Sequence, residues 1–302
     1  ACGIVDVNGK LLTKKSCKTG ADRPVDEIMS DMAKLVEDTV LESGFGKEKI
    51  AFLGVAAPGI ANSDTGVIEY SCNLPSFLNF NIVEDLKKRT GIAKIGLEND
   101  ANCAALAEYY VGAGRDSKRF LMITLGTGIG GGIVLGGKIV AGVHGAGGEI
   151  GHMVLNPEET EACGCGNFGC AEQYCSATGA VRLVKRYLAA HNKAASLREL
   201  QEVCCKDLFD AGNAEDDVAQ KILEQYYDLL GRFLANICCT VDPEVIVLGG
   251  GVSKAGRPLT DGATKYFQKY AFHACRKAKI VLATLGNDAG AYGAFKLVLD
   301  AQ

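Results

Sequence analysis

The sequence predicts a layered α/β protein of two domains. Three observations carry this reading. Apolar runs of strand length alternate with helical periodicities through the first hundred residues. The chain has 302 residues, about twice the length of a typical domain. Its composition, 48% hydrophobic and 23% charged, is that of a chain with a packed core. Thirty-two basic residues against 36 acidic ones leave a net charge of −4, and no basic cluster exceeds Lys87-Lys88-Arg89. Nucleic acid and anionic membranes are therefore not expected as partners. No apolar run approaches the ~18 residues of a membrane span, and no signal peptide opens the sequence.

The elements follow in order. Ile4-Val5 and Leu11-Leu12 flank an Asn8-Gly9 pair, the signal of a tight hairpin. Asp26 is expected to cap a helix carrying Ile28, Met32, Leu35, Val36 and Val40, closed by Gly44. Ile50 to Val55 reads as a buried strand running into Ala57-Pro58-Gly59. Asn81 starts a helix that Gly91 stops. Ile95 to Leu97 is a short strand followed by a helix through Tyr110. This N-terminal α/β domain spans 1–112. A second, larger α/β domain is expected over 113–288, with strands at Phe120–Leu125 and Gly132–Leu135 and a loop-rich segment from Gly142 to Gly179. Its longest helix runs from about Glu215 to Cys239, and a buried strand at Val245–Leu248 leads to a helix near Pro258. The last helix, 289–302, is expected to rejoin the first domain. The chain starts as a strand already under way, so its natural beginning is expected upstream.

Thirteen cysteines, an odd count without a secretory signal, point to the reducing cytoplasm rather than to a disulfide framework. Cys204-Cys205 and Cys238-Cys239 are expected to be buried small hydrophobes, and Cys175 a packed thiol. His152, Cys163, Cys165 and Cys170 differ: three thiolates and one imidazole within nineteen residues suit a closed, structural tetrahedral zinc site. Gly164, Gly166 and Gly169 let the backbone bend so that the sulfurs converge. If one ring nitrogen of His152 binds the metal, the other carries a proton and can donate to a substrate oxygen.

Two glycine-rich loops suggest phosphate. Gly126-Thr127-Gly128-Ile129-Gly130-Gly131 matches the letters of the dinucleotide fingerprint, but strand rather than helix follows, and no Walker lysine is present. What remains is a strand-turn-strand whose backbone N–H groups can cradle phosphate oxygens beside the Thr127 hydroxyl. Gly249-Gly250-Gly251, between a buried strand and a helix, lets a ring or phosphate approach the backbone. Asp100, at the head of a helix, can accept a proton from a substrate hydroxyl or can simply cap; Asn99 beside it is an alternative cap. Glu149 and Glu172 flank the cysteine block, and carboxylates are natural acceptors for vicinal sugar hydroxyls.

These residues together resemble the ROK family of sugar kinases and related repressors, especially its bacterial glucokinases. The resemblance rests on Glu98-Asn99-Asp100-Ala101-Asn102, on Leu125 to Gly131, on Gly148-Glu149-Ile150-Gly151-His152, and on the block from Cys163 to Gly179. It implies an actin-like (ribonuclease H-like) ATPase fold of two domains with an interdomain cleft. It implies Asp100 as general base, with Asn99, Glu149, His152 and Glu172 as further sugar contacts. Zinc falls on His152, Cys163, Cys165 and Cys170. The phosphate loop falls on Gly126, Thr127, Gly128, Gly130 and Gly131, and the adenosine side on Gly249, Gly250 and Gly251. ATP, magnesium and a hexose, most naturally glucose, are the implied ligands, and a homodimer the implied assembly. The family's opening strand and Asp-x-Gly-Gly-Thr loop have no counterpart here and by alignment lie upstream of residue 1. A sugar-responsive transcriptional repressor, or a kinase for N-acetylmannosamine or fructose, is the alternative. A repressor's winged-helix segment is not visible in the sequence.

Overall fold

The computed structural model describes residues 1–71 and 73–300. The chain divides into two compact units. One comprises residues 1–112, 139–147 and 287 onward; the other comprises 113–138 and 148–286.

The first unit opens with an antiparallel hairpin of β1 (Cys2–Val5) and β2 (Leu11–Lys15). The Asp6 carboxylate accepts the N–H groups of Asn8 and Lys10, both at 2.9 Å, and Gly9 supplies the positive φ that the turn requires. Helix α1 spans Val25–Ser43, and its N-cap is Pro24 rather than the expected Asp26. The proline ring holds φ at −55°, so the helix starts one residue beyond it. Asp26 instead sits in the first turn, where the helix dipole favours an acid, and pairs with Arg89. Strand β3 (Leu53–Ala57) starts later than the apolar run because Lys47–Lys49 forms a turn of 3₁₀ helix. A small antiparallel sheet of β4 (Ile60–Asn62), β5 (Val67–Tyr70) and β6 (Phe80–Asn81) follows. Helix α2 (Ile82–Thr90) is capped by Asn81, which accepts the Glu84 N–H at 2.9 Å, and ends at Gly91 in the left-handed region. Strand β7 (Ile95–Asn99) lies parallel to β3 and leads straight into α3 (Asp100–Val111).

Ile28, Met29, Ile68, Phe77, Ile82 and Leu97 form the core of this unit. The β1–β2 and β3–β7 pairs are separate sheets. A trough of about 930 Å³, walled by Ile4, Ile28, Leu53, Val55 and Ala294, opens among them and reaches Asp100.

The second unit is built on one sheet: β8 (Arg119–Leu125), β9 (Ile129–Leu135), β10 (Lys138–Ile139), β11 (Val245–Gly249) and β12 (Lys279–Leu282). The spatial order is β10-β9-β8-β11-β12, with β8 antiparallel to β9 and parallel to β11. Helices α4 (Glu172–Cys175), α5 (Ala177–Ala190), α6 (Cys205–Asn213), α7 (Asp217–Val241) and α8 (Arg257–Tyr270) complete it. Helix α7 buries Ile222, Tyr226, Leu230, Phe233, Leu234 and Ile237, a stripe at 3.6-residue spacing. Its cap is Asp216, which accepts the Val218 and Ala219 N–H groups; Glu215, the expected start, has φ +61° and lies outside. Cys175 and Cys238 are buried as expected, whereas Cys204 and Cys239 are exposed and Cys205 only partly covered. Cys204 falls at the cap of α6, and Cys239 on the solvent side of the α7 stripe.

Helix α9 (Ala289–Asp300) belongs to the first unit and packs on α3 and β3 through small residues. A Cβ on Gly293 would stand 1.8 Å from the Cys103 carbonyl oxygen, and one on Gly54 would stand 2.0 Å from that of Ala294. Both obstacles are backbone. Among the described residues no helix is long and apolar enough to cross a membrane. Gly54→Ala therefore destabilises the protein by about 2 kcal/mol through overpacking. The measurement is a lowered urea midpoint at unchanged slope.

Candidate active site and metal centre

In the first unit, the carboxyl end of β7 delivers Asn99 and Asp100 to the start of α3. Asn99 is the cap: its Oδ1 accepts the Ala101 N–H at 2.8 Å and the Asn102 N–H at 3.2 Å. Its Nδ2 donates to the Gly59 carbonyl at 2.8 Å, tying the turn after β7 to the turn after β3. With capping done by its neighbour, Asp100 stays solvent-accessible, its Oδ1 accepting the Ala101 N–H at 2.8 Å. Crowding by the surrounding protein raises the Asp100 carboxyl above the ordinary aspartate range, and the Ala101 N–H pulls the other way. Sequence reasoning gave no role to Glu98 or to the Asn102 side chain. Buried Glu98 accepts the Asn99 N–H at 2.8 Å and the Asn102 Nδ2 at 3.0 Å, fixing the backbone from which Asp100 projects.

In the second unit, the glycine-rich loop is a three-residue turn, Gly126–Gly128, closed by a 2.9 Å bond from the Gly126 N–H to the Gly128 carbonyl. Gly130 and Gly131 already lie within β9. Close packing accounts for two of the glycines. A Cβ on Gly128 would stand 2.1 Å from Glu172 Oε2, and one on Gly131 2.5 Å from the Gly148 carbonyl oxygen. Glu172 Oε2 accepts the Ile129 N–H at 2.8 Å, so one backbone donor of the loop is already engaged. The start of α5 braces the turn. The Ala177 N–H donates to the Gly126 carbonyl at 2.8 Å and the Thr178 hydroxyl to the Thr127 carbonyl at 2.6 Å. Strand β11 runs beside β8 and ends at Gly249, paired with Thr124. Gly250 adopts φ +80°, and its Cβ position lies 2.5 Å from the Leu125 carbonyl; nothing lies within 4 Å of a Cβ on Gly251. Both glycine turns thus sit at the carboxyl ends of adjacent parallel strands, where open α/β sheets bind ligands.

The four metal-ligand candidates converge. One donor atom from each of His152, Cys163, Cys165 and Cys170 lies within 4.8 Å of every other. Cys165 and Cys170 sulfurs are 3.7 Å apart, and Cys163 Sγ is 3.9 Å from His152 Nδ1. A tetrahedron with zinc–sulfur bonds of about 2.3 Å has edges of roughly 3.8 Å, so the donor set and its spacing fit zinc. Packed together as thiols, Cys163 and Cys170 resist ionisation. Burial raises Cys163 and pushes Cys170 up to about 12. A bound divalent cation reverses this, because a coordinating thiol loses its proton outright. The loop that delivers them is a tight hairpin, with the Cys163 N–H bonded to the Asn167 carbonyl at 2.7 Å and Gly169 pressed against the Asn156 carbonyl.

His152 presents Nδ1 to the sulfurs and Nε2 to Glu149, whose Oε2 is 3.8 Å away. Glu149 is a partly exposed residue just before the 3₁₀ turn that carries His152. Glu172 opens α4, with Oε1 3.7 Å from Cys163 Sγ. The imidazole, both glutamates and the glycine turn are therefore held around the cysteine loop within this unit.

A sequence model described as the ROK family matches residues 1–301. A glucokinase of Halalkalibacterium halodurans is 36% identical over 294 residues, which is 96% of this chain and 88% of that protein. Among solved structures, a ROK hexokinase from Thermus thermophilus superimposes with a TM-score of 0.80 at 32% identity, over 99% of this chain and 94% of its own. A ROK family glucokinase from Streptomyces griseus, in complex with glucose and AMPPNP, gives 0.79 at 30% identity, over 98% and 94%.

The purified protein is expected to hold one zinc per chain by elemental analysis. Cobalt in its place should show the intense visible absorption of a tetrahedral thiolate site. Cys165→Ser should weaken metal binding at least about tenfold in chelator competition.

Proposed function

Because the chain belongs to the ROK family, we propose that it transfers the γ-phosphoryl group of ATP to the 6-hydroxyl of glucose. The chain is an ATP-dependent sugar kinase, and glucose is its substrate. The observation that carries this reading is the near full-length likeness to glucokinases, one of them solved with both glucose and an ATP analogue.

We assign the base to Asp100. Asn99 does the capping, which leaves the exposed Asp100 carboxylate able to meet the sugar hydroxyl. As the sugar oxygen attacks phosphorus, Asp100 takes its proton, and the raised pKa makes it a better acceptor than an ordinary aspartate. Asn99, Glu149, Glu172 and the Nε2 side of His152 hold the other hydroxyls. Gly126, Thr127, Gly128, Gly130 and Gly131 form the phosphate side, where the Thr127 and Gly128 N–H groups and the Thr127 hydroxyl meet phosphate oxygens. Gly249, Gly250 and Gly251 form the adenosine side, where the open space at Gly251 leaves the backbone bare. Phosphoryl transfer depends mostly on positioning and charge neutralisation, and magnesium bound with the nucleotide supplies part of the latter. His152, Cys163, Cys165 and Cys170 would hold zinc, which would supply rigidity and fix the imidazole tautomer. We place this reaction in the cytoplasm, where the cysteines stay reduced.

A coupled ADP assay across hexoses tests the reading. Glucose should be the best substrate, ahead of fructose and N-acetylmannosamine; equal rates on glucose and N-acetylmannosamine would reject the assignment to glucose. Asp100→Asn should lower kcat by roughly 10²–10⁴-fold with glucose KM changed only several-fold. The acid limb of the pH–rate profile should lie above the ordinary aspartate value and disappear in that variant.

A further inference from the structure

Glu159 takes no part in the chemistry assigned above, yet its side chain is only 2% exposed. Six donors surround its two oxygens. Arg186 grips both, Nη1 to Oε2 and Nη2 to Oε1, each at 2.9 Å. Arg182 Nη2 lies 2.9 Å from Oε2, and the Tyr174 hydroxyl donates to that same oxygen. The N–H groups of Thr160 and Glu161 donate to Oε1 at 2.9 and 3.0 Å. These donors come from three places. Arg182 and Arg186 stand one turn apart on α5, Tyr174 lies on α4 two residues after Glu172, and the backbone donors lie in the loop leading to Cys163.

The neighbouring bonds extend the same tie. Asn156 Nδ2 donates to the Tyr174 hydroxyl at 2.8 Å. Gln173 Nε2 donates to the Glu161 carbonyl at 2.9 Å, while its Oε1 accepts the Cys170 N–H at 3.1 Å. A buried carboxylate with every lone pair matched differs from a solvated ion pair: losing one partner leaves unpaired charge in the interior.

We propose that Glu159 is a positioning residue that clamps the loop 156–163 onto α4 and α5, and thereby sets both the metal-ligand geometry and the seat of the Glu172 carboxylate. Cys163 follows Glu159 by four residues, and Tyr174 shares a single helical turn with Glu172, so each end of the clamp moves a functional group directly. The sugar half of this inference rests on the assignment of Glu172 as a sugar contact; the metal half does not.

The test compares Glu159→Gln with Glu158→Gln, an exposed neighbour carrying the same charge change. The glutamine keeps the shape but turns an NH₂ toward donors that need an acceptor. Zinc affinity by competition with a chromophoric chelator should fall about ten- to a hundredfold in Glu159→Gln, the range seen for outer partners of metal ligands. Glucose affinity by calorimetry should fall about tenfold or more, while kcat at saturating glucose stays within about threefold. Glu158→Gln should leave all three unchanged. A folded Glu159→Gln protein with wild-type zinc and glucose affinity overturns the proposal. Should that variant not fold, Arg186→Lys, which keeps the charge but loses the two-pronged grip, takes its place; wild-type zinc and glucose affinity there also overturns it. Unchanged glucose affinity in Glu172→Gln would instead strike the sugar-contact assignment and leave the zinc measurement to judge Glu159.

Discussion

One hydrogen bond, from the Ile129 N–H to the Glu172 carboxylate, ties the glycine turn to the cysteine loop. Its acceptor is charged, so it contributes about 1.5–3 kcal/mol where a neutral pair gives about half that. Glu172 opens the short helix directly after Cys170 and Ala171, and its other oxygen faces Cys163 Sγ. The bare α-carbon of Gly128 lets the carboxylate reach the strand end. The end of β8, the turn, the cysteine loop and the start of α5 are consequently one mechanical piece. In that piece the proposed phosphate and sugar groups keep fixed spacing, which is what phosphoryl transfer demands of a protein.

The first unit solves a different problem with similar means. A helix start attracts an acidic residue as a cap, and a capping acid is poorly placed to do chemistry. Asn99 takes the two amide donors of the first turn, and buried Glu98 takes the Asn99 amide. Asp100 therefore stays exposed at the positive end of α3, its Oδ1 held by the Ala101 N–H. The division of labour among three consecutive residues explains why the sequence there is acidic, amidic and acidic.

Much of this architecture was legible from residues alone, for identifiable reasons. Gly44 and Gly91 end helices in the left-handed conformation that only glycine adopts cheaply, so those boundaries could be read directly. The convergence of His152, Cys163, Cys165 and Cys170 was legible because thiols and an imidazole at short spacing have few other uses. Asp26 was misplaced as a cap because a proline two residues earlier competes for the helix start, and the capping preference carries no information about that contest. Part of the reason for the glycine loop lay outside its own sequence. Gly128 and Gly131 answer to Glu172 and to the Gly148 carbonyl, contacts across 44 and 17 residues that no local pattern displays. Glu159 and Glu98 were invisible for the same reason. A buried carboxylate and a solvated one are the same letter until the chain brings its partners from elsewhere.

The packing of α9 against Gly54 and α3 has a consequence for how the molecule is made. The first unit is assembled from both ends of the chain, so a ribosome has finished residues 1–112 long before the closing helix exists. At about 5–20 residues per second, the interval is roughly ten to thirty seconds. Through that time β3 lacks the helix that Gly54 admits and α3 the one that meets its backbone at Cys103, and the nascent chain must keep an unfinished apolar surface from aggregating. The second unit, largely contiguous and ending before α9, has no such wait.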